Sequence, residues 1–159
     1  MINLPKNIEY IITDFDGVIT DGFIYVSEDT TNQTKKISFK DVMGISLAVK
    51  NGYKVGIISG EDSAIIDFVT KKFNLEEVHK GIKDKAAVIQ QIAEKYNIKT
   101  ENIVYIGDDI NDISALNLVG YPITVNNGNY KVKAVPNIQI TECNGGDGAF
   151  REVIDGLLY

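Results

Sequence analysis

Short runs dense in isoleucine and valine alternate along this chain with segments whose apolar residues recur at helical spacing, and that alternation limits the fold more than any other feature. The apolar runs fall at residues 9–13, 53–58, 102–106 and 121–125, are bounded by turn residues, and predict strands. Residues 41–51, 62–73, 85–96 and 111–117 predict helices; in the third, Ala86, Ile89, Ile92, Ala93 and Tyr96 share one face. Strands separated by helices predict an α/β chain with a doubly wound parallel sheet covered on both faces. Such sheets bind ligands in the crevice outside the carboxyl ends of their strands. One segment breaks the alternation. Residues 23–26 and 35–39 read as two strands around the polar link 27–32, a β-hairpin projecting over about 22–39. A chain of 159 residues has room for one core and little for a second, so 1–159 reads as a single domain.

The first predicted strand runs straight into Asp14-Phe15-Asp16-Gly17. Two carboxylates two positions apart leave an extended chain on one side, with Phe15 on the other. Like charges at the end of a hydrophobic strand are costly unless a cation neutralises them, so the pair points to a divalent metal and to phosphate chemistry. Asp14 is placed to attack phosphorus and form an acyl phosphate. Asp16 is placed to protonate the leaving oxygen and later to deprotonate the water that breaks the intermediate. Taken alone, Asp-x-Asp-Gly also reads as a surface turn or a helix cap.

Three further clusters sit at other strand ends or helix starts. Val55-Gly56-Ile57-Ile58 leads into Ser59-Gly60, whose hydroxyl and backbone N–H groups either take a phosphate oxygen or simply open the next helix. Lys85 stands in the first turn of the third helix, where the dipole disfavours a cation. It needs an anionic partner, which a phosphate held at Asp14 would provide, whereas Lys83 reads as a solvated surface residue. Val104-Tyr105-Ile106 leads into Gly107-Asp108-Asp109-Ile110-Asn111-Asp112. Asp14, Asp108 and the backbone carbonyl of Asp16 can supply half an octahedral Mg²⁺ shell, with waters and substrate completing it. Asp109 and Asp112 read as braces of that shell, or, for Asp112, as a helix-start residue.

In this order, Asp14/Asp16, Ser59, Lys85 and Asp108 match the four motifs of the haloacid dehalogenase phosphatase superfamily, which the chain resembles. The resemblance implies a Rossmann-like sheet, an aspartyl-phosphate mechanism and Mg²⁺. It gives catalytic roles to Asp14, Asp16 and Lys85, phosphate binding to Ser59, Gly60 and Lys85, and metal ligation to Asp14, Asp16 and Asp108. The stretches at 16–22, 41–45, 58–60 and 145–152 are together similar to the 3-deoxy-D-manno-octulosonate 8-phosphate phosphatase family, which includes nonulosonate 9-phosphate phosphatases. The implied substrate is a 2-keto-3-deoxy sugar-acid phosphate. Octulosonate phosphatases usually carry arginine after the Ser-Gly pair, where this chain has Glu61. Glutamate there, with Lys72 further along the same helix, is similar to the nine-carbon enzymes. Replacing a fork-shaped cation by an anion changes which carboxylate or hydroxyl is held nearby; Glu61 also reads as an acidic first-turn residue complementing the helix dipole. The expectation is therefore a nine-carbon 9-phosphate, with 3-deoxy-D-manno-octulosonate 8-phosphate close behind. Arg151 reads as an anion ligand or as half of a surface ion pair.

Neither gap between motifs has room for the cap domain that many members of this superfamily carry. An open site weakens electrostatic stabilisation, and unprotected hairpin edges invite pairing with another subunit. The expectation is a homo-oligomer, a tetramer by the resemblance, in which a neighbour's hairpin covers the site and partly buries Phe23, Ile24, Tyr25 and Val26. The glycine-rich stretch 144–148 reads as a mobile tail near a site, His79 as structural, and most tyrosines and phenylalanines as core. A net charge of −6 argues against a nucleic-acid partner. The absence of an apolar run near about 18 residues argues against a membrane span. Cys143 is the only cysteine and the start of the chain lacks a signal-peptide layout, which together fit the cytoplasm. Two other readings compete: a non-catalytic oligomerisation module like the domain fused to some sialic-acid cytidylyltransferases, and a phosphorylated signalling receiver.

Overall fold

A computed structural model describes residues 2–159. Its centre is a six-stranded sheet built from β1 (Tyr10–Thr13), β4 (Lys54–Ile58), β5 (Glu77–His79), β6 (Ile103–Ile106), β7 (Tyr121–Thr124) and β8 (Gln139–Ile140). The strands lie in the order β5-β4-β1-β6-β7-β8 and every pairing is parallel. The chain runs outward from β1 to β5, then returns to build the other half from β6. The order therefore reverses beside β1, and a crevice opens at the carboxyl ends of β1, β4 and β6.

Each inner strand is buried on both faces, and its alternate residues enter different cores. Ile11 of β1 and Val104 of β6 join the core that includes Ile45, Ile66, Val153 and Ile154. Tyr10, Ile12 and Tyr105 join the opposite core with Ile89, Ile92 and Leu116. This period of two is why the strands read as unbroken apolar runs rather than as alternating ones. The helices α1 (Phe39–Lys50), α2 (Ala64–Phe73) and α5 (Ala149–Leu158) cover the first face; α3 (Lys85–Tyr96) and α4 (Ile113–Leu118) cover the second. Ser38 caps α1 and Asp84 caps α3 through their side chains, and Asn74 and Asn97 end α2 and α3 in the left-handed conformation.

The hairpin is present but shorter than the sequence implies. Only β2 (Tyr25–Val26) and β3 (Gln33–Thr34) pair, antiparallel, and among the described residues the return arm makes one isolated backbone bridge to the body, between Thr20 and Ile37. Phe23, Ile24, Tyr25 and Val26 are exposed on it. Most aromatic residues were expected in the core. Tyr10, Phe15, Tyr105 and Phe150 lie there, but Phe39, Phe68, Tyr130 and Tyr159 are exposed.

The glycine-rich stretch is not a loose tail. Gly145, Gly146 and Gly148 are buried, and the Gly146 N–H donates to the Val18 carbonyl at 2.9 Å. A Cβ on Gly145 would lie 1.7 Å from the Gly17 carbonyl oxygen, so only glycine permits this approach. Helix α5 follows at once. It buries Phe150, Val153, Ile154 and Leu157, the i, i+3, i+4, i+7 positions of one face, each worth about 1.5–3 kcal/mol. Asp41 of α1 ties the two together: its buried carboxylate accepts from the N–H groups of Gly148 and Arg151, both at 3.0 Å. No helix among the described residues is long and apolar enough to cross a membrane.

Candidate active site

Asp14 leaves the end of β1 and is nearly buried. Its Oδ1 accepts from the Phe15 N–H at 2.7 Å, and its Oδ2 lies 2.9 Å from Lys85 Nζ. Lys85 is fully buried at the start of α3, and its other partner is Asp112 Oδ1 at 2.6 Å. The anionic partner that the sequence demanded for this lysine is thus a pair of the protein's own carboxylates.

Asp112, read from the sequence as a brace of the shell or a helix-start residue, is bonded to both Lys85 and the Asp108 loop. It is fully buried, and its two oxygens accept four hydrogen bonds: from Lys85 Nζ, from Tyr105 Oη at 2.6 Å, and from the N–H groups of Asp108 and Asp109 at 3.0 and 3.1 Å. Four bonds fill both oxygens, so Asp112 orients Lys85 and the Asp108 loop. Asp108, two residues beyond β6, differs. Its carboxylate accepts no hydrogen bond among the described residues.

Asp14, Asp108 and Asp112 offer oxygens within 4.8 Å of one another, against one neutralising lysine. The shortfall of positive charge appears in their acidities. Burial and the Asp112 charge push Asp14 up to about 7, although Lys85 pulls it down. Burial and the charges of Asp14, Asp112 and Asp109 push Asp108 up to about 8. Burial alone would depress Lys85, but Asp14 and Asp112 hold it raised. A cluster of hard oxygen donors with uncompensated negative charge fits a divalent cation such as Mg²⁺. Asp14 and Asp108 have the free acceptor capacity to hold it; Asp112 does not.

Gly17 sits beneath this cluster at φ +84°, and a Cβ there would lie 2.0 Å from Asp108 Oδ2. A side chain is therefore excluded both by conformation and by space. Asp16, half-buried beside it, places Oδ1 2.7 Å from Lys35 Nζ and 3.3 Å from Thr20 Oγ1. Lys35 and Thr20 were not singled out from the sequence.

The crevice encloses about 530 Å³, with Asp14, Asp16, Ser59, Glu61, Asp108 and Asn111 in its wall. Ser59 is buried after β4, its Oγ accepting from the Glu61 N–H at 3.1 Å, and Gly60 is exposed beside it. Glu61 and Lys83 are exposed at the rim. Two expected substrate ligands lie elsewhere in this chain. Lys72 borders a separate apolar groove between α1 and α2, with Ile37, Phe39 and Phe68. Arg151 pairs with Asp155 at 2.7 Å across one turn of α5, the surface ion pair that was its alternative reading. His79 is structural as expected, its ring 2.6 Å from Glu77 Oε2.

A family model of haloacid dehalogenase-like hydrolases matches residues 61–153. The chain is 30% identical over 159 residues to the 3-deoxy-D-manno-octulosonate 8-phosphate phosphatase of Escherichia coli K12, covering 99% of this chain and 83% of that protein. Among solved structures, the Moraxella catarrhalis 3-deoxy-D-manno-octulosonate 8-phosphate phosphatase, in complex with magnesium, phosphate and KDO, superposes with a TM-score of 0.89 at 32% identity, covering 96% of this chain and 87% of that one. The cobalt-bound enzyme of Haemophilus influenzae gives 0.88 at 29% identity, with 96% and 88% covered. The charge-starved carboxylates at a sheet switch point agree with these likenesses in sequence and in fold, and the chain belongs to the 3-deoxy-D-manno-octulosonate 8-phosphate phosphatase family of the haloacid dehalogenase-like hydrolases.

Proposed function

We propose that residues 2–159 form one catalytic unit that hydrolyses a 2-keto-3-deoxy sugar-acid phosphate with Mg²⁺, through a phosphoryl group carried on Asp14. The observation that carries this reading is the convergence of Asp14, Asp108 and Asp112 on one another at a polar crevice, with a single buried lysine, paired to Asp14 and Asp112, against the three. Asp14 forms a bond to phosphorus as the ester P–O bond breaks, and Asp16 gives its proton to the departing sugar oxygen. Asp16 then takes a proton from a water, whose oxygen attacks the acyl phosphate, releasing phosphate and restoring Asp14. A Mg²⁺ ion held by Asp14, Asp108 and the Asp16 carbonyl would supply the positive charge that lets an anionic nucleophile approach an anionic phosphate. Ser59, the Gly60 N–H and Lys85 hold the phosphoryl oxygens.

Glu61 at the rim favours a nine-carbon 9-phosphate, by its likeness to the nonulosonate enzymes. The second reading, the eight-carbon 8-phosphate, is favoured by the relatives named above, which are octulosonate phosphatases. Comparing kcat/KM for the two esters decides between them; a ratio above about 10 in either direction assigns the substrate. Loss of all activity on both with Mg²⁺ present would overturn the phosphatase reading and favour the oligomerisation module.

The exposed apolar run Phe23–26 and the open crevice support a homo-oligomer, which we take to be a tetramer, with a neighbour's hairpin over each site. Only there would Lys72 or Arg151 approach a substrate. Light scattering giving a fully active monomer would refute that assembly. A cytoplasmic setting fits the single free thiol, Cys143.

A further inference from the structure

Lys35 belongs to none of the four motifs, and the reaction proposed above does not use it. It rises from the return arm of the hairpin, where the bridge between Thr20 and Ile37 fixes the chain two residues away. Its Nζ lies 2.7 Å from Asp16 Oδ1, with both side chains largely withdrawn from solvent. Thr20, buried, gives its hydroxyl proton to the same oxygen at 3.3 Å and accepts from the N–H groups of Gly17 and Gly22. The other oxygen, Asp16 Oδ2, is buried and has no hydrogen-bond partner among the described residues. One oxygen of this carboxyl is therefore held by two donors and the other is left free.

We propose that Lys35 is a positioning residue for proton transfer: with Thr20 it fixes the Asp16 carboxyl by Oδ1, so that Oδ2 is the oxygen that gives and takes the proton. A carboxyl torsion is soft and broad, whereas a general acid must come within about 2.6–3.2 Å of its target. A clamp on one oxygen narrows that search. The two lysines divide the work, Lys85 on Asp14 and Lys35 on Asp16. Because Lys35 is carried by the hairpin, the seating of that arm is coupled to the chemistry. The inference rests on the acid–base reading of Asp16, and its test separates the two.

The test compares Lys35→Met, Lys35→Arg and Asp16→Asn in the full chain with Mg²⁺, on the sugar-acid phosphate and on p-nitrophenyl phosphate. The sugar alkoxide needs a proton to leave; the nitrophenolate does not. Since kcat/KM covers the steps through phosphoryl transfer to Asp14, its alkyl-to-aryl ratio isolates protonation of the leaving group. The ratio should fall about 100-fold or more in Asp16→Asn, about 10-fold in Lys35→Met, and recover in Lys35→Arg. Equal loss on both esters in Lys35→Met would mean a binding or folding role and would overturn the proposal. A ratio lowered by Asp16→Asn and untouched by Lys35→Met would overturn it while leaving Asp16 as the acid. A ratio untouched by Asp16→Asn would remove Asp16 as the acid, and the proposal with it.

Discussion

Chelating the metal from this protein should make its stability fall as pH rises, the reverse of ordinary acid denaturation. Asp14 moves from 3.8 to about 7 and Asp108 from 3.8 to about 8 on folding. Between about pH 4 and these values the folded chain binds more protons than the unfolded one, so stability is fully present below the unfolded value and is lost as pH climbs through the folded ones. Taken alone, shifts of this size correspond to about 4–6 kcal/mol each. Each carboxylate's shift contains the other's charge, so they do not add. The expected loss is on the order of 5 kcal/mol between pH 5 and 8.5, or about 10–20 °C in Tm for a chain of this size. Calorimetry in EDTA and in saturating Mg²⁺, at constant ionic strength, measures it. Tm in EDTA should fall across this range, and the rise on adding Mg²⁺ should grow with pH as the carboxylates ionise. Asp108→Asn, which removes a charge that accepts no hydrogen bond, should raise Tm at pH 8 in EDTA and abolish the Mg²⁺ response. A flat or rising Tm in EDTA, or a Mg²⁺ increment independent of pH, would refute the electrostatic reasoning.

Asp112→Asn keeps the shape but leaves Lys85 one carboxylate and turns an amide NH₂ toward donors; in saturating Mg²⁺ it should cost about 3 kcal/mol, read from urea denaturation. Gly145→Ala forces a methyl group to within 1.7 Å of the Gly17 carbonyl. It should cost about 3 kcal/mol or more and lower kcat by displacing the loop that carries Asp16, a wild-type kcat and Tm being the contrary result. Glu61→Arg should shift the ratio of kcat/KM for the nine- and eight-carbon esters toward the eight-carbon one; an unmoved ratio would remove Glu61 from substrate choice.

The parallel sheet was legible because its inner strands are buried on both faces, which leaves β1, β4 and β6 as unbroken apolar runs. Its edges were not. Glu77–His79 and Gln139–Ile140 are short and carry polar residues, so neither apolar density nor alternation marks them. Helix α5 did carry a signal, Phe150, Val153, Ile154 and Leu157 at helical spacing, which was masked by the glycines before it. The motif residues around Asp14, Ser59 and Asp108 declared themselves because each closes a strand. Lys85 was marked by its place in the first turn of a helix, but its partner Asp112 and the pairing of Lys35 with Asp16 were not, because the partners are remote in sequence. Lys85 and Asp112 meet across 27 positions, and Lys35 and Asp16 across 19. Nothing local distinguishes Lys35 from a solvated lysine. The C-terminal glycines read as looseness, yet here their lack of side chains permits tight packing against the first acidic loop.

The claim on which the account stands is that Asp14 carries the phosphoryl group. Rapid acid quench during turnover with Mg²⁺, followed by proteolysis and mass spectrometry, tests it directly. One added phosphoryl group is expected on the peptide containing Asp14, absent in EDTA and absent in Asp14→Asn, which should keep its fold and lose turnover. A quenched enzyme with no phosphoryl group on that peptide while product accumulates, or one that carries it elsewhere, would contradict it.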